Sequence, residues 1–194
     1  MIYEAVSPRD LRIDTRELAS RLGAPIGAEI EGSDTLLEQL LDVSKPAYTA
    51  TRVKLKRYDD GIAVGNLTTS SRALGELCRA SDECILLVAT LGVGVDRLVL
   101  RSASKSARDA FILDAMADAL IEALCDYAEL SVCEGLDTSG RFSPGYADLE
   151  LAMGREILLL TDAERTLGIK LSESGLMVPK KSVNAIIAIR NKKE

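Results

Sequence analysis

The sequence predicts an α+β fold in one domain, and three stretches carry the prediction. Residues 106–131 place Leu113, Ala117, Leu120, Leu124 and Tyr127 at helical spacing. That is one core-facing stripe along a helix of about 26 residues, roughly 39 Å long. Glu83–Thr90 (ECILLVAT) is an uninterrupted apolar run between polar residues, as a central strand requires. Residues 183–189 (VNAIIAI) form a second strand-like run near the end of the chain. Strands and helices mix without regular alternation, which favours α+β over a parallel α/β sheet. At 194 residues the chain can bury a sizeable core, and a single domain over 1–194 is the default.

The remaining elements follow in order. Residues 2–6 alternate weakly and read as a strand. Thr15–Leu22 has helical spacing and stops at Gly23, a suitable C-cap. Ser33 or Asp34 can cap a second helix through Leu41, which Pro46 ends. Residues 48–55 are rich in Thr, Val and Tyr, as strands are. Asp59-Asp60-Gly61 turns the chain, and 62–64 return as the second arm of a hairpin. Residues 69–79 read as a short helix. Gly92-Val93-Gly94, between a strand and a helix over 95–100, resembles part of a dinucleotide fingerprint. The third glycine is absent, with Arg97 in its place, so a tight strand-to-helix turn is the stronger reading. Residues 148–160 have amphipathic helical spacing, and 162–167 make a helical turn ending at Gly168. The tail runs as Ile169 and Leu171, then 176–178, a turn at 179–181, and the final strand.

Composition removes whole classes of chemistry. Hydrophobic content of 47% with 28% charged residues fits a soluble globular domain. A net charge of −6 argues against a phosphate-backbone binder, so no nucleic-acid partner is expected. The chain has no His, which excludes Ser-His-Asp and Cys-His catalysis and any His-ligated metal. Cys78, Cys84, Cys125 and Cys133 form no C-x-x-C pair and read as thiols in a reducing, cytoplasmic compartment. No apolar stretch approaches the ~20 residues of a membrane span, and the N-terminus has no signal-peptide pattern. The sequon at Asn66 then carries no meaning.

The long helix and the loop after it hold the candidate site. Asp114, Asp118, Glu122 and Asp126 recur every four residues, a second and acidic stripe with no Lys or Arg interleaved. A solvated face is the simpler reading of Asp114 and Asp126. The chain has only two Phe and five Tyr, and Phe111, Tyr127, Phe142 and Tyr146 all fall between 106 and 146. The loop Gly140-Arg141-Phe142-Ser143-Pro144-Gly145-Tyr146 places an Arg beside a backbone-exposing turn. Pro144 fixes φ there and Gly145 permits close approach. Read on its own, Arg141 pairs with a nearby carboxylate in a turn joining two helices.

This loop resembles the R-x-x-P-G-Y motif of the activation domain of cobalamin-dependent methionine synthase. Residues 167–174 (LGIKLSES) and 177–183 (MVPKKSV) are similar to the same family's segment I-G-x-x-L-T-E-S … M-x-P-x-x-S-V, in the same order and spacing. The resemblance covers roughly residues 83–190 and is clearest for the free-standing bacterial form. It implies a bent antiparallel sheet flanked by helices, with one long central helix. It also implies a shallow groove that binds S-adenosylmethionine and offers its methyl group to cobalamin held by a partner methionine synthase chain. A flavodoxin-type donor would supply the electron for reactivation from cob(II)alamin. Arg141 stands at the family's ligand-binding Arg, Ser143 at a backbone contact, and Glu122 at a Glu of the long helix. Phe142, Pro144, Gly145 and Tyr146 complete the expected site.

The chemistry of the ligand suits these residue types. A guanidinium can grip a carboxylate through a forked pair of hydrogen bonds, and Glu122 can face a sulfonium or ammonium. No general base is needed for methyl transfer to a corrinoid nucleophile, so no catalytic residue is assigned. Two departures from the family favour an alternative, a docking or scaffold protein that keeps the fold without the ligand. Ala147-Asp148-Leu149 follows Tyr146 where the synthase has Pro-Ala-Cys, and an aliphatic residue at Ile186 or Ile187 stands for a ligand-contacting Tyr.

Overall fold

The apolar run β5 (Glu83–Thr90) lies inside a six-stranded antiparallel sheet. The computed structural model describes residues 1–191. The other strands of that sheet are β1 (Ile2–Ala5), β2 (Ala47–Tyr58), β3 (Gly61–Val64), β4 (Leu67–Thr69) and β8 (Ser182–Ile189). Their order is β4-β3-β2-β5-β8, with β1 also on β2. β6 (Lys170–Leu171) and β7 (Met177–Val178) pair separately. β2 carries the bend of the sheet. Its first half pairs with β1, from Ile2↔Ala50 to Ala5↔Ala47, and its last four residues pair with β3.

Both faces of the sheet are covered, which explains why β5 is apolar throughout rather than alternating. Side chains one residue apart point to opposite faces. Ile85, Leu87 and Ala89 join Tyr48, Ile187, Leu113 and Leu120 in one core. That core lies under α1 (Thr15–Leu22), α2 (Ser33–Val43), α4 (Val93–Ala103) and the long α5 (Ala107–Val132). Leu86 and Val88 join Ile186, Met153 and Ile157 in the other. It is closed by α3 (Arg72–Leu77), α6 (Met153–Leu160) and α7 (Ala163–Leu167). The predicted α+β class, the long helix and the strands expected over 83–90 and 183–189 are present.

Several local expectations are corrected. The helix expected over 69–79 is shorter, Arg72–Leu77, and Thr69 instead ends β4; the approach there is backbone to backbone, for a Cβ at Gly61 would lie 2.4 Å from the Thr69 carbonyl oxygen. The cap of α2 is neither Ser33 nor Asp34 but Gly32, in the left-handed region at φ 78°, with no side-chain cap. Tyr127 leaves the apolar stripe of α5; Ala128 is buried in its place, and the Tyr127 hydroxyl donates to Glu4 at 2.9 Å. The Gly92-x-Gly94 turn opens a helix in an antiparallel sheet, so it is no Rossmann turn. A Cβ at Gly94 would lie 2.4 Å from the Val43 carbonyl oxygen, so this glycine lets α4 pack against α2.

The helix expected over 148–160 begins only at Met153, because Asp148 is used elsewhere. Its carboxylate accepts from the Ser71 hydroxyl at 2.6 Å and from the Arg72 and Ala73 N–H groups at 2.7 and 3.2 Å. It thereby satisfies the first turn of α3 across the molecule. The Ser71 hydroxyl bond and the Arg72 N–H hold the Asp148 carboxyl below its usual range. A depressed folded-state value stabilises above the unfolded pKa, about 3.9 for Asp, and that contribution is lost as pH falls through the folded value. Asp148→Asn should therefore narrow the gap between urea midpoints measured at neutral pH and near pH 3. An unchanged gap would show that other carboxylates carry the acid sensitivity.

Candidate functional site

The loop after α5 meets the helix's acidic face at the open edge of β8. Residues 138–142 run antiparallel along that edge. Thr138 bridges Ile189 and Phe142 bridges Ile186, with the two N–H groups of the second bridge donating at 2.9 and 2.8 Å. Phe142 packs half-buried on the sheet, and Arg141 reaches back to α5. Its Nη1 donates to Asp126 and Glu129, both at 2.8 Å, and its Nη2 donates to Glu122 at 3.1 Å. Burial works against this charge, but the bond to Asp126 and the charges of Asp126 and Glu129 outweigh it and raise the guanidinium above its ordinary value. A guanidinium has five N–H bonds. Among the described residues nothing accepts from Nε, so that N–H has no partner within the chain.

Beyond Arg141 the chain turns tightly. The Tyr146 N–H donates to the Ser143 carbonyl at 3.2 Å, and the Gly145 N–H donates to that of Leu149 at 2.9 Å. Gly145 sits at φ 89°, which its missing side chain allows. Ala147 takes φ 50°, a left-handed conformation that costs a side-chain-bearing residue roughly 1–2 kcal/mol. Two anchors impose it: Asp148 on α3, and buried Leu149 in the second core.

These residues line an open groove of about 440 Å³. It gathers Glu122, Arg141, Phe142, Ser143 and Tyr146, which the sequence put forward, with Asp126, Glu129 and Val183. Pro144 is buried and lines an adjoining hollow of about 220 Å³ with Leu151, Met177 and Asn184. Ser143 and Val183 wall both spaces. Gly145 lines neither and serves the turn. Ile186 and Ile187, at the position of the expected Tyr, are fully buried on opposite faces of the sheet.

The acidic stripe is not a bare solvated face. Its cations come from distant parts of the chain. Lys181 Nζ lies 2.8 Å from Asp114 and 2.6 Å from Asp118, and Arg21 lies 3.5 Å from Asp118. Asp114 and Asp126 remain more than half exposed, yet both are ion-paired. Glu129 was missed because it falls outside the four-residue spacing. It stands seven residues after Glu122, two turns along the same face. Cys125, beneath this face, is a core thiol whose burial pushes its pKa up to about 12.

No protein-family model matches the chain. No curated protein matches it either. Its fold is similar to that in a crystal structure of the MetH reactivation domain bound to AdoHcy. The TM-score is 0.72 at 19% identity, over 100% of this chain and 79% of that one. The likeness extends to the first 80 residues, which carried no recognisable motif, and the fold is the one the R-x-x-P-G-Y resemblance implied. No helix among the described residues is long and apolar enough to cross a membrane.

Proposed function

We propose that this chain binds S-adenosylmethionine in the groove beside Arg141 and acts in the reactivation of a cobalamin-dependent methionine synthase. One observation carries the reading: a whole-chain likeness to a domain solved with AdoHcy coincides with a groove built on the R-x-x-P-G-Y loop. Three carboxylates against one guanidinium leave the groove negative, which suits a ligand bearing a sulfonium and an ammonium. The Nε–H of Arg141, unpaired among the described residues, is left for that ligand's carboxylate. The chain's task is to hold the sulfonium in place at a surface open to a partner. A cobalamin held by a partner chain and reduced by one electron from a flavodoxin-type donor would supply the nucleophile for the methyl group, with S-adenosylhomocysteine left in the groove beside Arg141. The reading needs no proton transfer, in keeping with a groove that offers no His.

A second reading has its own support, because Arg141 already holds three carboxylates of its own chain. On that reading the protein docks a corrinoid protein without binding the nucleoside. Calorimetric titration separates the two. Saturable binding of both S-adenosylmethionine and S-adenosylhomocysteine is expected; heat of dilution alone for both would leave the scaffold reading standing.

A further inference from the structure

Asn184 is the polar residue the groove leaves unexplained. It is 6% exposed, and it lines the 220 Å³ hollow among Pro144, Leu151, Met177 and Val183. Its carboxamide makes no hydrogen bond to any described residue, and it keeps some contact with solvent, since Ser81 Oγ is the one fully buried side-chain nitrogen or oxygen without a partner among the described residues. Space for it is provided across the sheet face. A Cβ on residue 154 would lie 2.9 Å from Asn184 Nδ2, and residue 154 is a glycine on α6.

The backbone at Asn184 is open too. In an antiparallel ladder, alternate residues turn their N–H and C=O to opposite sides of the strand. Those of Ile186 point outward to Phe142, and those of Ala188 point outward to Ser139. By the same alternation those of Asn184 point outward, beyond the end of the 138–142 segment. A side-chain amide and a free strand edge thus meet at one point of a mostly apolar hollow, which Ser143 and Ser182 also line.

We infer that Asn184 reads the base of the adenosyl ligand, an inference that rests on the S-adenosyl reading above. A carboxamide presents an acceptor beside a donor. Adenine presents the complement, its amino donor beside a ring-nitrogen acceptor, and Asn–adenine pairs of this kind are bidentate. Pro144, Leu151 and Met177 flank the ring. The ligand then lies across the wall formed by Ser143 and Val183, with its base in the hollow and its sulfonium toward Glu122 and Glu129. Asn184 is a specificity-determining residue on this assignment.

The test compares S-adenosylhomocysteine with S-inosylhomocysteine, in which a 6-oxo acceptor replaces the 6-amino donor. The parent protein binds the adenosyl ligand more tightly, by roughly ten- to a hundredfold. Asn184→Ala removes most of that preference. Gly154→Ala does the same, because its Cβ displaces the carboxamide while alanine favours the helix itself. Near-UV circular dichroism confirms that both variants keep the packed core. A parent protein that binds both ligands equally overturns the assignment, as do two variants that retain the preference. A parent protein that binds neither ligand overturns the S-adenosyl reading itself, and this inference with it.

Discussion

Arg141→Ala is expected to lose roughly 10- to 150-fold in affinity for S-adenosylmethionine, the loss of about 1.5–3 kcal/mol that follows removal of one charge-assisted pair. It should also be less stable, because the change removes the cation that, among the described residues, Glu122, Asp126 and Glu129 share. Breaking a fully buried pair costs about 3–5 kcal/mol. Here the Asp126 side chain is 69% exposed and rehydrates, so a smaller loss of about 1–2 kcal/mol is expected. At this chain length that lowers the melting temperature by roughly 2–8 °C. Arg141→Lys separates the two effects. A lysine restores a charge near the carboxylates but cannot present a planar fork, so stability should recover more than affinity does. Isothermal titration and thermal melts on both variants check this. An alanine variant with full affinity would reduce Arg141 to a brace for α5 and remove it from the binding site.

Lys181→Met is expected to give the larger loss of stability, about 2–4 kcal/mol by urea denaturation. Lys181 is only 9% exposed, and its ammonium touches Asp118 at 2.6 Å, Asp114 at 2.8 Å and the Asp114 carbonyl at 3.2 Å. Removing it leaves Asp114 without a cation and Asp118 with only the more distant Arg21, two like charges one helical turn apart. The figure is taken below the full cost of an orphaned buried charge because Asp114 keeps half its exposure. Methionine fills the volume of the aliphatic stem, so little of the loss comes from a cavity. The double variant Lys181→Met with Asp118→Asn should recover part of the loss. If the single change is neutral, the pair contributes to register without adding stability.

Long-period features of the fold were legible and short ones were not. The runs at 83–90 and 183–189 and the stripe from Leu113 to Leu124 each repeat over many residues, so single exceptions do not blur them. The start of α6 was misplaced because Asp148 has helical spacing, while its carboxylate is committed to the N–H groups of α3, some seventy-five residues earlier in the chain. Nothing local to residue 148 records that partner. β4 escaped notice for a similar reason: three residues are too few to show a period. At the groove, Glu122 and the loop 140–146 were visible because a motif named them. Asn184 and Lys181 were not, since both are polar residues inside or beside a strand whose burial depends on what packs over it. The acidic stripe was seen, but its cations could not be, because Arg21, Arg141 and Lys181 lie on three separate segments.

That dispersal of cations bears on how the chain assembles. Without the helix carrying Arg21, the loop carrying Arg141 and the turn carrying Lys181, α5 is a helix whose own charges repel one another. Among the described residues its repulsion is relieved by groups from early, middle and late in the sequence. Such distant closures are slow to form, and each one that forms makes the helix a better platform for the next. Order in α5 and the geometry of the groove beside it are therefore coupled through the same ion pairs, so a change at any one of the three cations is felt at the others.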